Sequence, residues 1–201
     1  MARFIALLTL AFSPISHGSN PSELLISLLK DIDTLSADYE QVGQPTTQKG
    51  QFWLSKPDRF RLSASAPISQ TIVSDGENLW TYDLDLEQVI ITPLRREAAN
   101  IPLLLLARDP EKLGNTYDIE YFEDADRKHF IFSPLDKTQV IGSFTLSFFG
   151  NLPVRLIFQS AMQQPTVINF HNVSTVHVDA EWFNFKIPDN VDVIDDRLDT
   201  E

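Results

Sequence analysis

Four histidines and three close carboxylate pairs are the groups in this chain best placed by type to do chemistry, and their spacing decides how far each reading goes. His129, His171 and His177 are scattered, and none is set four residues from another across a glutamate. That is the spacing that puts two imidazoles on one helix face around zinc, so a zinc hydrolase is unsupported. No Gly-x-Ser-x-Gly segment exposes a serine at a strand-to-helix elbow, and no Gly-rich loop ends in Gly-Lys-Ser or Gly-Lys-Thr to cradle a nucleotide. Asp83 with Asp85, Asp124 with Asp126, and Asp195 with Asp196 are the pairs a glycosidase would need. Each falls in or beside a turn signal, where a solvated loop explains it. The chain has no cysteine, which removes thiolate catalysis, thiolate metal ligands, disulfides and a lipidation site on the protein itself. No catalytic residue, no metal site and no cofactor is expected, and His17 falls in a segment that export would remove.

The elements that must do the work instead begin with an N-terminal leader. Met1-Ala2-Arg3 precedes an apolar run from Phe4 to Phe12, then Pro14 and small residues to Ser19. This reads as a secretory signal peptide over residues 1–18, with cleavage after Gly18 and one domain over 19–201. The other reading of the run is an anchor or a buried helix. It is shorter than the roughly 20 residues that span a bilayer, so the mature chain is not expected to be membrane-embedded. The formal net charge of -12 would repel nucleic acid and anionic lipid. Acid gathers near the C-terminus at Asp179, Glu181, Asp189, Asp192, Asp195, Asp196, Asp199 and Glu201. It forms either a solvated tail or a docking surface for a basic partner.

Pro21 opens a helix in which Leu24, Leu25, Leu28, Leu29, Ile32 and Leu35 recur at helical spacing. From Ala37 the period changes to two, and short strand-like runs with turn signals between them follow to Trp182–Lys186. They predict one large antiparallel sheet or open barrel. One segment breaks the rhythm, Leu94 to Leu113, where Pro102 and Leu103-Leu104-Leu105-Leu106 read as short helices to be buried against the sheet. Bulky residues alternate at Phe52 and Leu54, Phe60 and Leu62, Phe130 and Phe132, Phe144, Leu146 and Phe148, and Leu156 and Phe158. One sheet face would collect them, as a packed core under the helices or as the lining of a cavity. Asp75-Gly76 is a hairpin corner, and Trp53 and Trp80 are packing residues.

Ser74-Asp75-Gly76-Glu77-Asn78-Leu79-Trp80-Thr81-Tyr82-Asp83, then Asn100-Ile101-Pro102 with its leucines and Ala107-Arg108, resembles the periplasmic lipoprotein carriers called LolA. Gly50-Gln51-Phe52-Trp53-Leu54, running into Lys56-Pro57-Asp58-Arg59-Phe60, is similar to another segment of that family. Tyr39-Glu40-Gln41 and Asp179 to Pro188 are similar to its early and closing strands. The likeness covers nearly the whole mature chain. It implies an α+β fold: a strongly curved antiparallel sheet forming an open, unclosed β-barrel, with its mouth covered by a lid of short helices, Leu24–Leu35 and Arg95–Leu106.

The resemblance also implies a function, a non-enzymatic, monomeric periplasmic carrier of acylated lipoproteins. It would be loaded by an inner-membrane ABC-type transporter and relieved of its cargo by an outer-membrane lipoprotein receptor. The acyl chains would lie against Phe52, Leu54, Phe60, Leu62, Phe144, Leu146 and Ile157, with Phe60 at the cavity mouth. Leu103, Leu104, Leu105 and Leu106 would form the lid face. Lys56 stands where the family usually has arginine; it is either a weaker lid latch, three donors on a flexible stem instead of a planar fork, or an exposed residue beside a turn. Two other classes remain open, a lipid- or lipoprotein-sensing half-barrel module reporting to a regulatory partner, and a carbohydrate-processing enzyme.

Overall fold

A computed structural model describes residues 20–43, 46–97, 101–138, 141–160 and 165–197. The expected signal peptide, residues 1–18, lies outside them. Helix α1 (Pro21–Lys30) starts where the sequence says it should. The Asn20 side chain accepts from the Ser22 N–H at 3.1 Å, Pro21 gives up no needed donor, and Glu23 and Lys30 sit at the helix ends that favour their charges. The helix stops at Lys30 rather than continuing through Leu35, because Leu35 belongs to the first strand. Leu35 keeps the core side by alternation instead of by helical turn.

Twelve strands form one sheet: β1 (Thr34–Val42), β2 (Gln48–Ser55), β3 (Arg59–Ala64), β4 (Gln70–Asp75), β5 (Asn78–Asp83), β6 (Gln88–Pro93), β7 (Tyr117–Asp124), β8 (Arg127–Pro134), β9 (Ile141–Phe149), β10 (Leu152–Ser160), β11 (Thr166–Ser174) and β12 (Asp192–Asp195). Their spatial order, β12-β6-β5-β4-β3-β2-β1-β11-β10-β9-β8-β7, joins two meanders through the β1–β11 pair and leaves the sheet unclosed. The protein is mostly β, with few and short helices. The Asp75-Gly76 corner forms as expected: Gly76 has φ +104°, and the Asp75 carboxylate accepts the N–H groups of Glu77 and Asn78, each at 2.8 Å.

Two expectations need correcting, and a third, the short helices of Leu94–Leu113, is met by one helical turn and two 3₁₀ turns. The sheet is mixed, not wholly antiparallel, because β12 pairs in parallel with β6, Asp192 opposite Gln88 through Asp195 opposite Ile91. Trp182–Lys186 is not a strand. Its first part belongs to a 3₁₀ turn, Ala180–Phe183, that packs on β3 and β4, and the rest joins no ladder. The Leu94–Leu113 region holds only α2 (Leu94–Glu97) and the 3₁₀ turns Pro102–Leu106 and Pro110–Asn115; residues 98–100 lie outside the described residues.

One cause underlies both corrections. After β11 the chain crosses the sheet face opposite the helices and reaches the β6 edge running the same way as β6. It crosses on rings: Trp182 meets Trp53 edge-on at 5.2 Å, Arg61 lies 5.0 Å over the Trp182 ring, and Phe185 stacks on Trp80 at 6.3 Å. Phe183 is 0% exposed there, on the side to which Val73, Val89 and Ile91 alternate. Trp53 and Trp80 are thus packing residues of this back face. Because Phe183 fills its site completely, Phe183→Ala is expected to lower the free energy of unfolding by about 3–5 kcal/mol in denaturant titration. A loss below about 1 kcal/mol would mean that the crossing segment adds little to the fold.

Candidate functional site

The register assigns each side chain to a face. Across β1 to β5 of the first meander, Leu35, Leu54, Phe60, Ser74 and Leu79 are successive neighbours in one row, and Ala37, Phe52, Leu62, Ile72 and Thr81 in the next. In the second meander Ile168, Leu156, Leu146, Phe130 and Tyr121 form a row, and Phe158, Phe144, Phe132 and Ile119 another. The rings interlock: Phe132 stacks on Phe144 at 4.7 Å, Tyr117 meets both edge-on, and Phe52 reaches Phe170 at 5.3 Å. Small residues make the last contact possible, because Ala37 is opposite Phe52, and Gly50 leaves room for the Tyr39 ring. A Cβ at Gly50 would fall 2.8 Å from that ring and 2.0 Å from the Ser63 carbonyl oxygen.

Of the residues expected in the cavity, Phe52, Leu54, Phe60, Phe144 and Leu146 are buried on this helical face, and Leu62 is half-buried on it. Ile157 is not on it. It pairs with Thr145 and Val167, whose side chains point to the back face, while Leu156 and Phe158 hold the inner positions. Period two makes this unavoidable once Leu156 is inward. Phe130, Phe132, Phe148, Tyr39 and Phe170 belong to the site as well. Their signal was the same alternation, already visible for the first three.

The helical face is covered by the chain's own apolar residues. Leu25, Leu28 and Leu29 of α1, Leu103 to Leu106, Ala107 and Leu113 join the strand residues in one cluster. Leu103 to Leu106 are each between 1% and 6% exposed. At three residues per turn their side chains point in all directions around the axis, so the segment is enclosed rather than laid on by one face. Leu62, Ile72, Ile101 and Phe158 are only partly covered.

The turn between β2 and β3 holds both covering segments. The Lys56 ammonium donates to the Leu29 carbonyl near the end of α1, where a cation is favoured by the helix dipole. The Lys56 N–H donates to the Asp33 carbonyl at 2.9 Å, and the Asp58 N–H to the Ala107 carbonyl at 2.9 Å. Asp58 takes a positive φ of 56° to aim that donor, and its own carbonyl accepts from the Ser74 hydroxyl at 2.9 Å. Burial pushes the Lys56 ammonium below its ordinary pKa, against the opposing pull of Asp33 and Asp109. An exposed pair, Lys30 with Glu111 at 2.6 Å, ties α1 to the second 3₁₀ turn and adds little in water.

The side chains singled out as candidates for catalysis are engaged in local contacts. His129 Nδ1 lies 2.9 Å from the Ser147 hydroxyl, but Ser147 is 1% exposed and Phe122 stacks on the imidazole at 4.6 Å, so no substrate reaches the pair. Asp83 accepts the N–H groups of Asp85 and Leu86, each at 3.0 Å, and Asp195 is paired with Arg197 at 2.5 Å. Both end a strand and accept from the backbone of the turn that follows. No group of metal-ligating side chains and no helix long and apolar enough to cross a membrane occurs among the described residues.

A family model described as outer membrane lipoprotein carrier protein LolA matches residues 30–186. An outer-membrane lipoprotein carrier protein of Francisella philomiragia is 33% identical over 99% of this chain and 100% of that one, and its counterpart in Azotobacter vinelandii is 32% identical over 92% of each. The chain belongs to the LolA family. It is an outer-membrane lipoprotein carrier and not an enzyme. Its fold is shared more distantly with an uncharacterised conserved protein of Thermus thermophilus, at a TM-score of 0.57 and 9% identity over 88% of this chain and 99% of that one. MucB superposes at 0.54 with 16% identity, over 88% of this chain and 66% of that one.

On the helical face of this LolA-family protein burial pushes up the phenols of Tyr39 and Tyr117, Tyr39 the further. The Tyr39 phenol, 4% exposed, is pushed up to about 12 by desolvation. The folded state therefore holds that proton more tightly than the unfolded chain, whose tyrosine titrates near about pH 10. The contribution is intact below about pH 10 and is lost as the pH rises through about 12, by up to roughly 3 kcal/mol. Tyr39→Phe is expected to flatten this part of the alkaline stability profile, read by denaturant unfolding at about pH 9 and about pH 11.5.

Proposed function

We propose that the helical face is where the acyl chains of the cargo lie, that the sheet acts as an open, curved half-barrel, and that α1 with the Ile101–Ala107 segment is its lid. The observation that carries this reading is the burial of Leu103 to Leu106 inside a wall of phenylalanines and leucines. These leucines occupy, with the chain's own hydrocarbon, a surface suited to hydrocarbon from elsewhere. Exchange of one for the other needs no new chemistry, since apolar contact has no directional requirement.

Magnitudes favour such an exchange over an empty cavity. Each fully buried methylene is worth roughly 0.8 kcal/mol, so a single enclosed acyl chain approaches 10 kcal/mol before association costs. A carrier that gained all of this from each chain could not let go. Displacing four buried leucines costs about 1.5–3 kcal/mol each, which offsets much of the gain and keeps the net affinity moderate. The partly covered Leu62, Ile72 and Phe158 offer the cargo a first contact while the lid is still closed.

The cycle we infer runs from export by the leader, residues 1–18, into the periplasm. An inner-membrane ABC-type transporter then loads the monomeric carrier, and an outer-membrane lipoprotein receptor unloads it. The sequence has no Gly-rich loop ending in Gly-Lys-Ser or Gly-Lys-Thr, which fits a cycle whose driving energy enters through the loading partner. Lys56 serves as the latch on α1. Its ammonium makes the bond to Leu29 with three donors on a flexible stem, where a guanidinium would present a rigid fork.

Two measurements test this reading. The mature protein, added to spheroplasts synthesising a labelled triacylated lipoprotein, is expected to bring it into the soluble fraction as a one-to-one complex. No release, with the protein folded and its own transporter present, would instead favour the lipoprotein-sensing alternative. Lys56→Leu is expected to shift an environment-sensitive label on the lid toward its open signal and to slow handover to the receptor; unchanged values for both would remove Lys56 from the latch.

A further inference from the structure

In the first meander the apolar lining of the helical face ends near the start of β2, and the residue that ends it there has an unusual bonding state. The pairing of β1 with β2 is unbroken from Gln48 to Ser55, so Gln48, Gly50, Phe52 and Leu54 share the helical face. Gln48 is 8% exposed. Its Nε2 donates to the carbonyls of Ser65 and Lys49, which fixes the orientation of the amide, since a flip would set oxygen against oxygen. Its Oε1 is buried with no hydrogen-bond partner. Among the described residues it is the buried side-chain oxygen or nitrogen left in that state.

Over β2 to β6 the neighbours turn polar near this level, whereas beyond Gln41 the same row becomes apolar again at Ile168, Leu156, Leu146 and Phe130 of the second meander. Gln41 lies opposite Gln48, and one row nearer the lid anchors Gly50, Ala64, Gln70, Asp83 and Gln88 succeed one another across β2 to β6. Above that row the face is carried by Phe52, Leu62 and Ile72, then by Leu54, Phe60 and Leu79. Leu54 and Phe60 adjoin the turn that holds both covering segments. From Leu54 to Gln48 is six residues, about 20 Å along the strand.

We propose that Gln48 is a polar end stop for an acyl chain lying along the first meander, and that it sets the length this protein accommodates there. The proposal rests on the acyl-site reading above and adds a specificity determinant to it. A chain end advancing along the lining gains contact with each methylene until it meets the carboxamide. A further methylene has no hydrogen to donate, so it leaves Oε1 unpaired and must crowd the amide or bend away. A ligand that ends in a donor at that depth satisfies the oxygen instead.

The test uses the whole mature protein and displacement of a fluorescent apolar probe by saturated fatty acids from lauric to arachidic, together with their ω-hydroxy derivatives. For wild type, affinity is expected to rise about fourfold per methylene at most and then to break to a plateau at a defined length. At that length the ω-hydroxy acid should bind at least as well as the plain one. In Gln48→Leu, and in the unbranched Gln48→Met that guards against a folding defect in the first, the break moves to longer chains. In the same variants the ω-hydroxy acid loses about fivefold or more against the plain acid. A break at the same length in wild type and both folded variants, or no break in any of them, overturns the end stop while leaving the acyl site standing. Failure of every fatty acid to displace the probe from folded wild type overturns the acyl-site reading itself and the stop with it.

Discussion

A sheet of twelve strands that turns Phe52, Phe60, Phe130, Phe132, Phe144, Leu54, Leu146 and Leu156 to one side cannot leave that side in water. Burying it is the requirement to which the rest of the molecule answers. Helix α1, the Pro102–Leu106 turn and Leu113 are too short to be stable alone, and they are ordered because the sheet offers them an apolar bed. The dependence is mutual, since the bed has no other cover among the described residues. Covering segments held by non-directional contact, with directional bonds gathered at one turn, suit a protein whose proposed task is to exchange that cover for cargo.

The back face is treated differently in its two halves. Over β2 to β6 the crossing segment lays Trp182, Phe183 and Phe185 on Trp53, Val73 and Trp80, so that this half is packed on both sides. Over β8 to β11 one row is polar and joined pairwise, His129 to Ser147 and Arg155 to Asn169 at 2.8 Å, and the next row, Ile131, Thr145, Ile157 and Val167, has no aromatic strap laid on it among the described residues. The half packed on both sides is the half that carries the anchoring turn. The sheet's two edges are protected by unlike means. β12 adds a short strand to β6, whereas β7 carries exposed Asp118, Glu120, Glu123 and Asp124, charges that discourage pairing with another chain.

Within the anchoring turn, side chain and backbone divide the work. Lys56 reaches only the carbonyl of Leu29 with its side chain, and the Ala107 end of the other covering segment is held by the N–H of Asp58. A backbone donor survives any substitution at its own position that keeps the N–H and tolerates the positive φ of Asp58, while an ammonium is lost with its side chain. The two covering segments are therefore separable by mutation although they meet in one core.

Much of this was legible in the chain. The cap and proline placed the start of α1, period-two alternation marked nearly every strand, Asp75-Gly76 fixed a corner, and the spacing of His, Ser and Asp argued against catalysis before any geometry was known. Alternation names which residues share a face, which is why Phe52, Leu54, Phe60, Phe144 and Leu146 were found together. It also shows why Ile157 was misplaced: a residue between Leu156 and Phe158 cannot point with them. What only the tertiary structure decided depends on contacts distant in sequence. The β1–β11 pair joins the two meanders, the crossing segment turns an expected strand at Trp182 into a strap over Trp53, and β12 arrives parallel because of where that strap delivers it. The unpaired oxygen of Gln48 is of the same kind, since a local pattern records that a glutamine is present but not whether its bonds are met.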